Sequence, residues 1–488
     1  MAYTEMVVFL LYFVFMLGIG VFFFLRSKGG GEKAYFLGNR QMGAWVGALS
    51  AGASDMSAWV LMGLPASVFA AGLGKVWIAV GLGLGYAASW LLEAPRLRRF
   101  SIAAGDSITI PQYLTNRFLS RSKALQLLCA VIFLVAYTVY TASSIKACGT
   151  LFHTVMGVDA QAAMYFAAVV IVGYTFMGGF SAVCWTDFFQ GLLMLGALLI
   201  APIFVLTVFS GELNPAALPQ GYFAMNTSWQ EIVSGLAWGL GYFGMPHIII
   251  RFMSLRSDRE LKKSSVIGIS WTVIILVMSV LTGVVGRMFL GELEDSSTVF
   301  ILMVRKIFPA VISGILLSAI LSAAMSTADS QLLASASAFA SDVYKPVFRK
   351  QASDREMLWA GRIVVVIIAL VAVAIAANPA SGTVMALVEN AWGVFGAAFG
   401  PVIMLSLYWK RLNFAGALAG ITAGALGDIG WLVFFKSTGV YEIIPGVLLG
   451  LLTAILVSLA TKAPSQEVLE LYRSGKKSDE KRIPHRAI

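Results

Sequence analysis

Ser326 and Thr327 place two hydroxyls side by side within an apolar run. Ala323 and Ser330 join them at helical spacings of three and four, so all four lie on one face of a helix. Far upstream, Ser50 to Trp59 reads SAGASDMSAW, setting small polar residues and an aspartate inside the apolar run from Met42 to Ala71. Unwound backbone at membrane depth persists only where it is buried in protein or lines a cavity, so a break here would free main-chain carbonyls. Carbonyls and hydroxyls together suit a hard monovalent cation such as sodium, which needs several oxygen ligands at once to replace its water. The bland alternative is a stripe of small residues that lets membrane helices approach closely.

The composition shows what must position these residues. With 59% hydrophobic and 12% charged residues and a mean hydropathy of +0.83, the 488-residue chain carries more apolar surface than a soluble core could hide. It reads as an all-α integral membrane protein. Cys129, Cys148 and Cys184 lie in or beside apolar segments without a CxxC pair or a histidine at ligand spacing, which argues against zinc and disulfide roles. The acidic start of Met1 to Arg26, with no small-residue cleavage site, reads as a retained first helix.

Spanning roughly 30 Å of hydrocarbon takes about 20 helical residues. Thirteen apolar runs meet that length, near 5–25, 43–67, 75–94, 122–150, 160–177, 186–209, 230–249, 266–289, 307–339, 360–377, 382–409, 414–435 and 443–461. Of 35 Lys and Arg, 29 fall in one alternating set of loops. The other set holds Lys75, Lys146, Arg287, Arg305, Lys306 and Lys436. This asymmetry places the N-terminus outside and the C-terminus in the cytoplasm of a plasma (inner) membrane protein, and it accounts for the net charge of +10. Basic residues dispersed over short loops give no support to a nucleic-acid role. Residues 1–462 therefore read as a single transporter domain, and 463–488 as a charged cytoplasmic tail with a short helix and a disordered end.

A second interruption, WGLGYFGMP from Trp238 to Pro246, lies five helices after the break at Ala53 to Ser57. That separation is expected of two inverted five-helix repeats, over about 43–209 and 230–409, which would put a site at the bilayer midplane.

Several segments carry a family resemblance: LSAGASDMSAW (Leu49–Trp59), YTFMGGFSAVCWTDFFQ (Tyr174–Gln190), WGLGYFGMPHIIIRFMS (Trp238–Ser254), AILSAAMST (Ala319–Thr327) and YEIIPG (Tyr441–Gly446). In order, across Tyr35 to Pro464, these resemble the solute:sodium symporter family, and within it the sodium/proline symporters. The resemblance implies the leucine-transporter type of inverted-repeat fold, alternating access and co-transported sodium as the only cofactor. It implies a sodium site from the main-chain oxygens of Ala53, Met56 and Ala323 and the hydroxyls of Ser326 and Thr327. It further implies a substrate pocket at Tyr140, Trp238, Tyr242 and Pro246, beside Met245, Ser57 and Trp59. Aromatic faces suit an aliphatic ring and attract its ammonium group. Each aromatic alone is equally at home in a core. Met245 departs from the family, whose proline symporters read GQPH where this chain reads GMPH. Proline is thus the first expectation, with another small amino acid or an organic acid as the alternative.

Three aspartates need separate readings. Asp55 follows the first break, either tuning sodium affinity through its field or capping the unwound helix. Asp187, in the WTD motif at the expected start of a helix, serves either sodium coupling or the helix dipole. Asp329 stands where similar symporters carry a small or hydroxylated residue. With Asp187, Ser326 and Ser330 it could form a second cation or proton site, or it pairs with a lysine or arginine.

Other motifs carry less. Gly81, Gly83 and Gly85 form GxGxG within a membrane helix, without the strand a dinucleotide loop requires. Ser143 and Lys146 have SxxK spacing without the motifs that accompany it in hydrolases. His153, His247 and His485 are scattered, and His247 is expected to brace the second break. A secondary symporter fits these features better than a channel, which needs a continuous polar pore, or a sensor built on a transporter fold. No enzyme activity is expected. The partners are a small solute, sodium and membrane lipid, with no nucleic acid.

Overall fold

The computed structural model describes residues 2–26, 32–177 and 179–477. Helix α1 (Ala2–Arg26) precedes a short α2 (Glu32–Leu37) and α3 (Ala44–Asp55), which ends at the first break. Past it come α4 (Gly63–Ala71), α5 (Val76–Ala88), α6 (Ala94–Ala103) and α7 (Ile110–Arg117). Helices α8 (Ala124–Met156), α9 (Ala160–Met177) and α10 (Phe180–Val208) follow, then α11 (Trp229–Ala237) and α12 (Pro246–Ser254) around the second break. The chain continues through α13 (Asp258–Leu290), α14 (Val299–Ile307), α15 (Ala310–Ser337), α16 (Asp354–Ala377) and α17 (Val384–Tyr408). It closes with α18 (Phe414–Phe434), α19 (Ile443–Ala460) and the tail helix α20 (Gln466–Gly475). Beyond α20, the expected disorder of the tail falls on residues 478–488, outside the described residues.

Local signals set many of these ends. Ser-Asp-Arg-Glu occurs twice, at Ser257–Glu260 and Ser353–Glu356, and in each case the serine side chain accepts the backbone N–H of the glutamate, starting α13 and α16. Gly157, at φ 66°, closes the 33-residue α8 in the left-handed conformation that glycine adopts without strain. Among the described residues there is no strand, only an isolated bridge between Met42 and Leu255. Its bonds (Met42 N–H to Ser254 O, 3.2 Å; Arg256 N–H to Met42 O, 3.1 Å) tie the entrance of α3 to the exit of α12.

Among the described residues, ten helices are long and apolar enough to cross a membrane, or eleven when Trp229–Phe243 and Pro246–Ser254, which meet at 45°, count as one broken span. This is lower than the thirteen apolar runs. The break leaves α3 only 12 residues, too short to cross alone. The stretch 58–103, counted once, holds α4, α5 and α6, with Gly72 at φ 78° between α4 and α5, and α9 qualifies only as a shorter apolar helix.

Two charged positions also move. Arg251, assigned from loop charge to a cytoplasmic loop, is a buried residue of α12. Helix α10 starts at Phe180 rather than 186, so Asp187 lies two turns inside, beyond the first turn where the helix dipole acts.

Small residues set the closest approaches. A β-carbon on Gly85 would lie 2.2 Å from Gly239 O, and one on Gly81 2.3 Å from Gly235 O, so the GxGxG stretch is where α5 packs against α11 and the turn after it. Helix α3 packs against α10, α12, α13 and α15, which puts its C-terminal break in the middle of the bundle.

Candidate functional site

The last regular bond of α3 runs from Met56 N–H to Gly52 O at 2.8 Å. Ser57 is then extended, and a short 3-10 turn at Ala58–Val60 restarts the chain. The carbonyls released here find specific partners. Ser326 Oγ of α15 donates to Ala53 O at 2.8 Å and also approaches Ala323 O at 3.3 Å. Ala53, Ala323 and Ser326, chosen from residues on different helices, thus bring three oxygens together. Thr327 Oγ1, next to them, is buried and has no partner.

The second break mirrors the first. A 3-10 turn from Trp238 to Phe243 gives way to α12 at Pro246, whose missing N–H and fixed φ suit the first position of a helix. Met245 caps that helix: it is fully buried, and its carbonyl accepts from Ile248 and Ile249 N–H at 3.1 Å. His247 joins the breaks. Its Nε2 lies 3.1 Å from Ser54 O and its Nδ1 3.2 Å from Tyr137 OH, an arrangement satisfied by the tautomer with the proton on Nε2. The bracing role expected for His247 is what the geometry provides.

Between the breaks lies an aromatic enclosure. Trp238 packs against Trp59 with ring centroids 6.4 Å apart, Tyr441 at 5.3 Å and Trp392 at 6.3 Å. Trp392 Nε1 donates to Trp238 O at 2.8 Å. Tyr242 meets Tyr86 and Trp392 edge to face at 5.1 and 5.0 Å, and donates its hydroxyl to Asp55 Oδ2 at 2.6 Å. Tyr140 crosses His247 at right angles, 6.2 Å between rings.

Buried polar atoms are normally hydrogen-bonded, so exceptions call for explanation. Asp55 Oδ1 and Thr327 Oγ1 are buried without a partner, and Ser57 Oγ and Tyr140 OH, also buried, have only each other nearby. Each belongs to a residue chosen from sequence for ion or substrate contact. Burying such groups unsatisfied costs about 1–3 kcal/mol apiece, a cost that a bound ion and a polar solute would offset.

Asp187 has a different surrounding. Arg251, 2% exposed, donates from Nη2 to Asp187 Oδ2 at 3.1 Å and to Ser330 Oγ at 2.6 Å, and from Nε to Ser50 Oγ at 3.1 Å. Its Nη1 bonds His247 O, and Ser50 Oγ donates to the same Asp187 oxygen at 2.6 Å. Ser330 also bonds Asp329 Oδ1 at 3.2 Å. Arg251 and Ser330 therefore link Asp187 to Asp329, and the positive charge between Asp187 and Ser330 is a guanidinium. Sequence reasoning missed Arg251 because the loop count had already assigned its charge. Trp392 and Tyr86 were missed because nothing in their local spacing separates pocket aromatics from core ones. Among the described residues, no group of three His, Cys, Asp or Glu side chains is placed to hold a metal, and all three cysteines are free and buried.

Residues 35–424 match the model of the Sodium:solute symporter family. The osmoregulated proline transporter OpuE of Bacillus subtilis is 43% identical over 95% of this chain and 96% of its own length. The high-affinity proline transporter PutP of the same organism is 43% identical over 94% and 98%, and sodium/proline symporter 2 of Staphylococcus saprophyticus 41% over 96% and 95%. Among solved structures, a Na+-coupled sialic acid symporter in a substrate-bound outward-open state superposes with a TM-score of 0.80 at 19% identity, covering 95% of this chain and 98% of that one. MhsT in complex with L-phenylalanine does so at 0.52 and 11%, covering 85% and 98%. At these identities the structural likeness speaks to the fold. Together with a family match over most of the chain, it places this chain in the sodium:solute symporter family.

Proposed function

We propose that this chain is a sodium-coupled symporter that imports L-proline across the plasma membrane by alternating access. The observation that carries the reading is the set of orphaned polar atoms at the two breaks, in a chain more than 40% identical to proline transporters over nearly its full length. Sodium would be held by the carbonyls of Ala53, Met56 and Ala323 and the hydroxyls of Ser326 and Thr327. The bond from Ser326 to Ala53 O is what such a group adopts without an ion: the hydroxyl donates to the oxygen with which it would share the cation.

Coupling follows from chain continuity. Ala53 and Met56 lie on one side of the break and Ser57 and Trp59 on the other, with Met56 and Ser57 adjacent in the chain. An ion that fixes the backbone on one side orders the solute contacts on the other, so each ligand raises the affinity for its partner. Ser57, Trp59, Tyr140, Trp238, Tyr242, Met245 and Pro246 would surround proline, with Asp55 Oδ1 supplying negative charge. We assign Asp187 to holding Arg251, whose charge stands in the place a second cation would take. A second sodium at Asp187, Asp329 and Ser330 would need that guanidinium to withdraw.

The finer architecture belongs to the same proposal: thirteen crossings when both halves of a broken helix count as one, inverted repeats near 43–209 and 230–409, N-terminus outside and 463–488 in the cytoplasm. An inward potential adds about 2.3 kcal/mol per charge per 100 mV to the sodium gradient. Met245 favours a second reading, in which an apolar thioether in place of the usual amide shifts preference to another small amino acid or an organic acid. Proteoliposomes with a screen of labelled solutes test both. Sodium-stimulated proline accumulation, lost in Ser326→Ala with Thr327→Ala, is expected. Proline uptake indifferent to sodium refutes the ion assignment, and uptake of a different solute refutes proline.

A further inference from the structure

Away from the two breaks, a second group of buried oxygens has no partner. Asp428 lies on α18, about 9 Å of helix from its Phe434 end at 1.5 Å per residue. It is 0% exposed, and neither of its carboxylate oxygens has a hydrogen-bond partner. The carboxylate occupies the space left by Gly393 of α17, where a β-carbon would sit 2.7 Å from Oδ2. Asn390 and Glu389 lie one turn from Gly393 on the same helix face. The side-chain oxygen Oδ1 of Asn390 is also buried without a partner. Glu442, at the start of α19, is buried with Oε1 unpartnered, and it is close enough to act electrostatically on both Asp428 and Glu389.

Every orphan here is an acceptor. Four buried oxygens here meet no N–H or O–H of the protein. Lys436 acts on Glu389 and Glu442, and Lys75, which also acts on Glu389, is engaged with Glu231 at 2.7 Å. No ion pair to Asp428 is made among the described residues. An uncompensated buried carboxylate costs several kcal/mol, so such groups are neutralised by a proton or by a cation, and the experiment below separates the two. Two carboxylates and an amide oxygen are too few for a divalent cage, consistent with no triad of metal-ligating side chains among the described residues. They suit a monovalent cation that keeps part of its water.

We propose that Asp428, Glu442 and Asn390 bind an alkali cation at a site separate from Ala53, Ser326 and Thr327. The loop charges assign this end of the bundle to the outside. Tyr441, next to Glu442, packs on Trp238 of the aromatic enclosure and donates its hydroxyl to Glu389 O at 2.8 Å. A cation held here would therefore rest against the residues that roof the pocket.

The test is equilibrium binding of 22Na+ to purified full-length chain carrying Ser326→Ala and Thr327→Ala, with and without Asp428→Asn. This background is expected to keep sodium binding, and Asp428→Asn to weaken what remains by tenfold or more. Glu442→Gln and Gly393→Ala, whose β-carbon displaces the carboxylate, supply the same reading if Asp428→Asn does not elute as a single folded species. No residual binding in the background, or residual binding indifferent to all three substitutions, overturns the proposal. An effect on pH dependence alone, with sodium binding unchanged, assigns the carboxylates to a proton and also overturns it. The readout needs no solute, so it stands or falls apart from proline: if Ser326 and Thr327 do not hold sodium, the background simply binds like the unsubstituted chain.

Discussion

Replacing Thr327 by valine separates an ion ligand from a packing residue, because Thr327 Oγ1 is buried without any partner in the protein. Valine keeps the shape and removes an unsatisfied polar atom, so stability without sodium is expected to hold or rise slightly. Sodium affinity is expected to fall. Losing one contact to a charged group costs about 1.5–3 kcal/mol, which converts to a rise of roughly 10- to 150-fold in half-saturating sodium. The same loss is visible in unfolding. At sodium 100 times its dissociation constant, the unsubstituted chain gains about 2.7 kcal/mol from binding; a site 30-fold weaker gains about 0.9 kcal/mol at the same concentration. Initial rates of labelled proline uptake against sodium in proteoliposomes, with thermal unfolding in sodium and in choline, measure both quantities. Unchanged half-saturating sodium together with lowered stability in choline would show that the hydroxyl serves packing, and the sodium assignment would fail at this residue.

Other expectations follow from single contacts. Tyr242→Phe removes the 2.6 Å donor to Asp55 Oδ2 and leaves both carboxylate oxygens bare, so kcat/KM for uptake should fall about 10- to 100-fold, from a charge-assisted bond of about 1.5–3 kcal/mol; unchanged uptake kinetics would count against Asp55 in the pocket. Arg251→Met strips Asp187 of its countercharge and should cost about 3–5 kcal/mol in unfolding experiments, most of it recovered by adding Asp187→Asn. No recovery in the double variant would mean that Arg251 acts mainly through Ser50, Ser330 and the His247 carbonyl. Outside the spans, partial burial of Asp106 opposes its charge, but Lys33 and Arg40 outweigh it and hold the carboxyl below its ordinary range. The stability it contributes is then complete above the ordinary carboxylate pKa of about 3.9 and lost as pH falls below it. Asp106→Asn should flatten the acid limb of a thermal-unfolding profile, and an identical limb in both proteins would place the acid sensitivity elsewhere.

Both helix breaks could be read from the chain because glycine with serine and aspartate in the first, and glycines ahead of a proline in the second, interrupt runs long enough to span a membrane. The hydroxyl face of α15 could be read from its spacing. Each of these signals is local, decided by a residue and its neighbours within a turn or two. The number of helices able to cross was less legible, since hydropathy adds up apolar residues and does not register where a helix stops: α3 ends at 12 residues, and the stretch 58–103 is divided into α4, α5 and α6.

What the sequence by itself determined is a bundle of apolar helices, interrupted in two places, with oxygens set where they break. Tertiary structure alone decided which of those oxygens meet. Ser326 reaches Ala53 across 273 positions of chain, and Tyr242 reaches Asp55 across 187. It also decided that Arg251, a loop charge by counting, closes on Asp187, and that Asp428 and Glu442 are buried with oxygens that no donor meets. The physical reason is common to all of them. A buried polar atom is satisfied or orphaned by groups distant in sequence, and no local pattern records who those neighbours are.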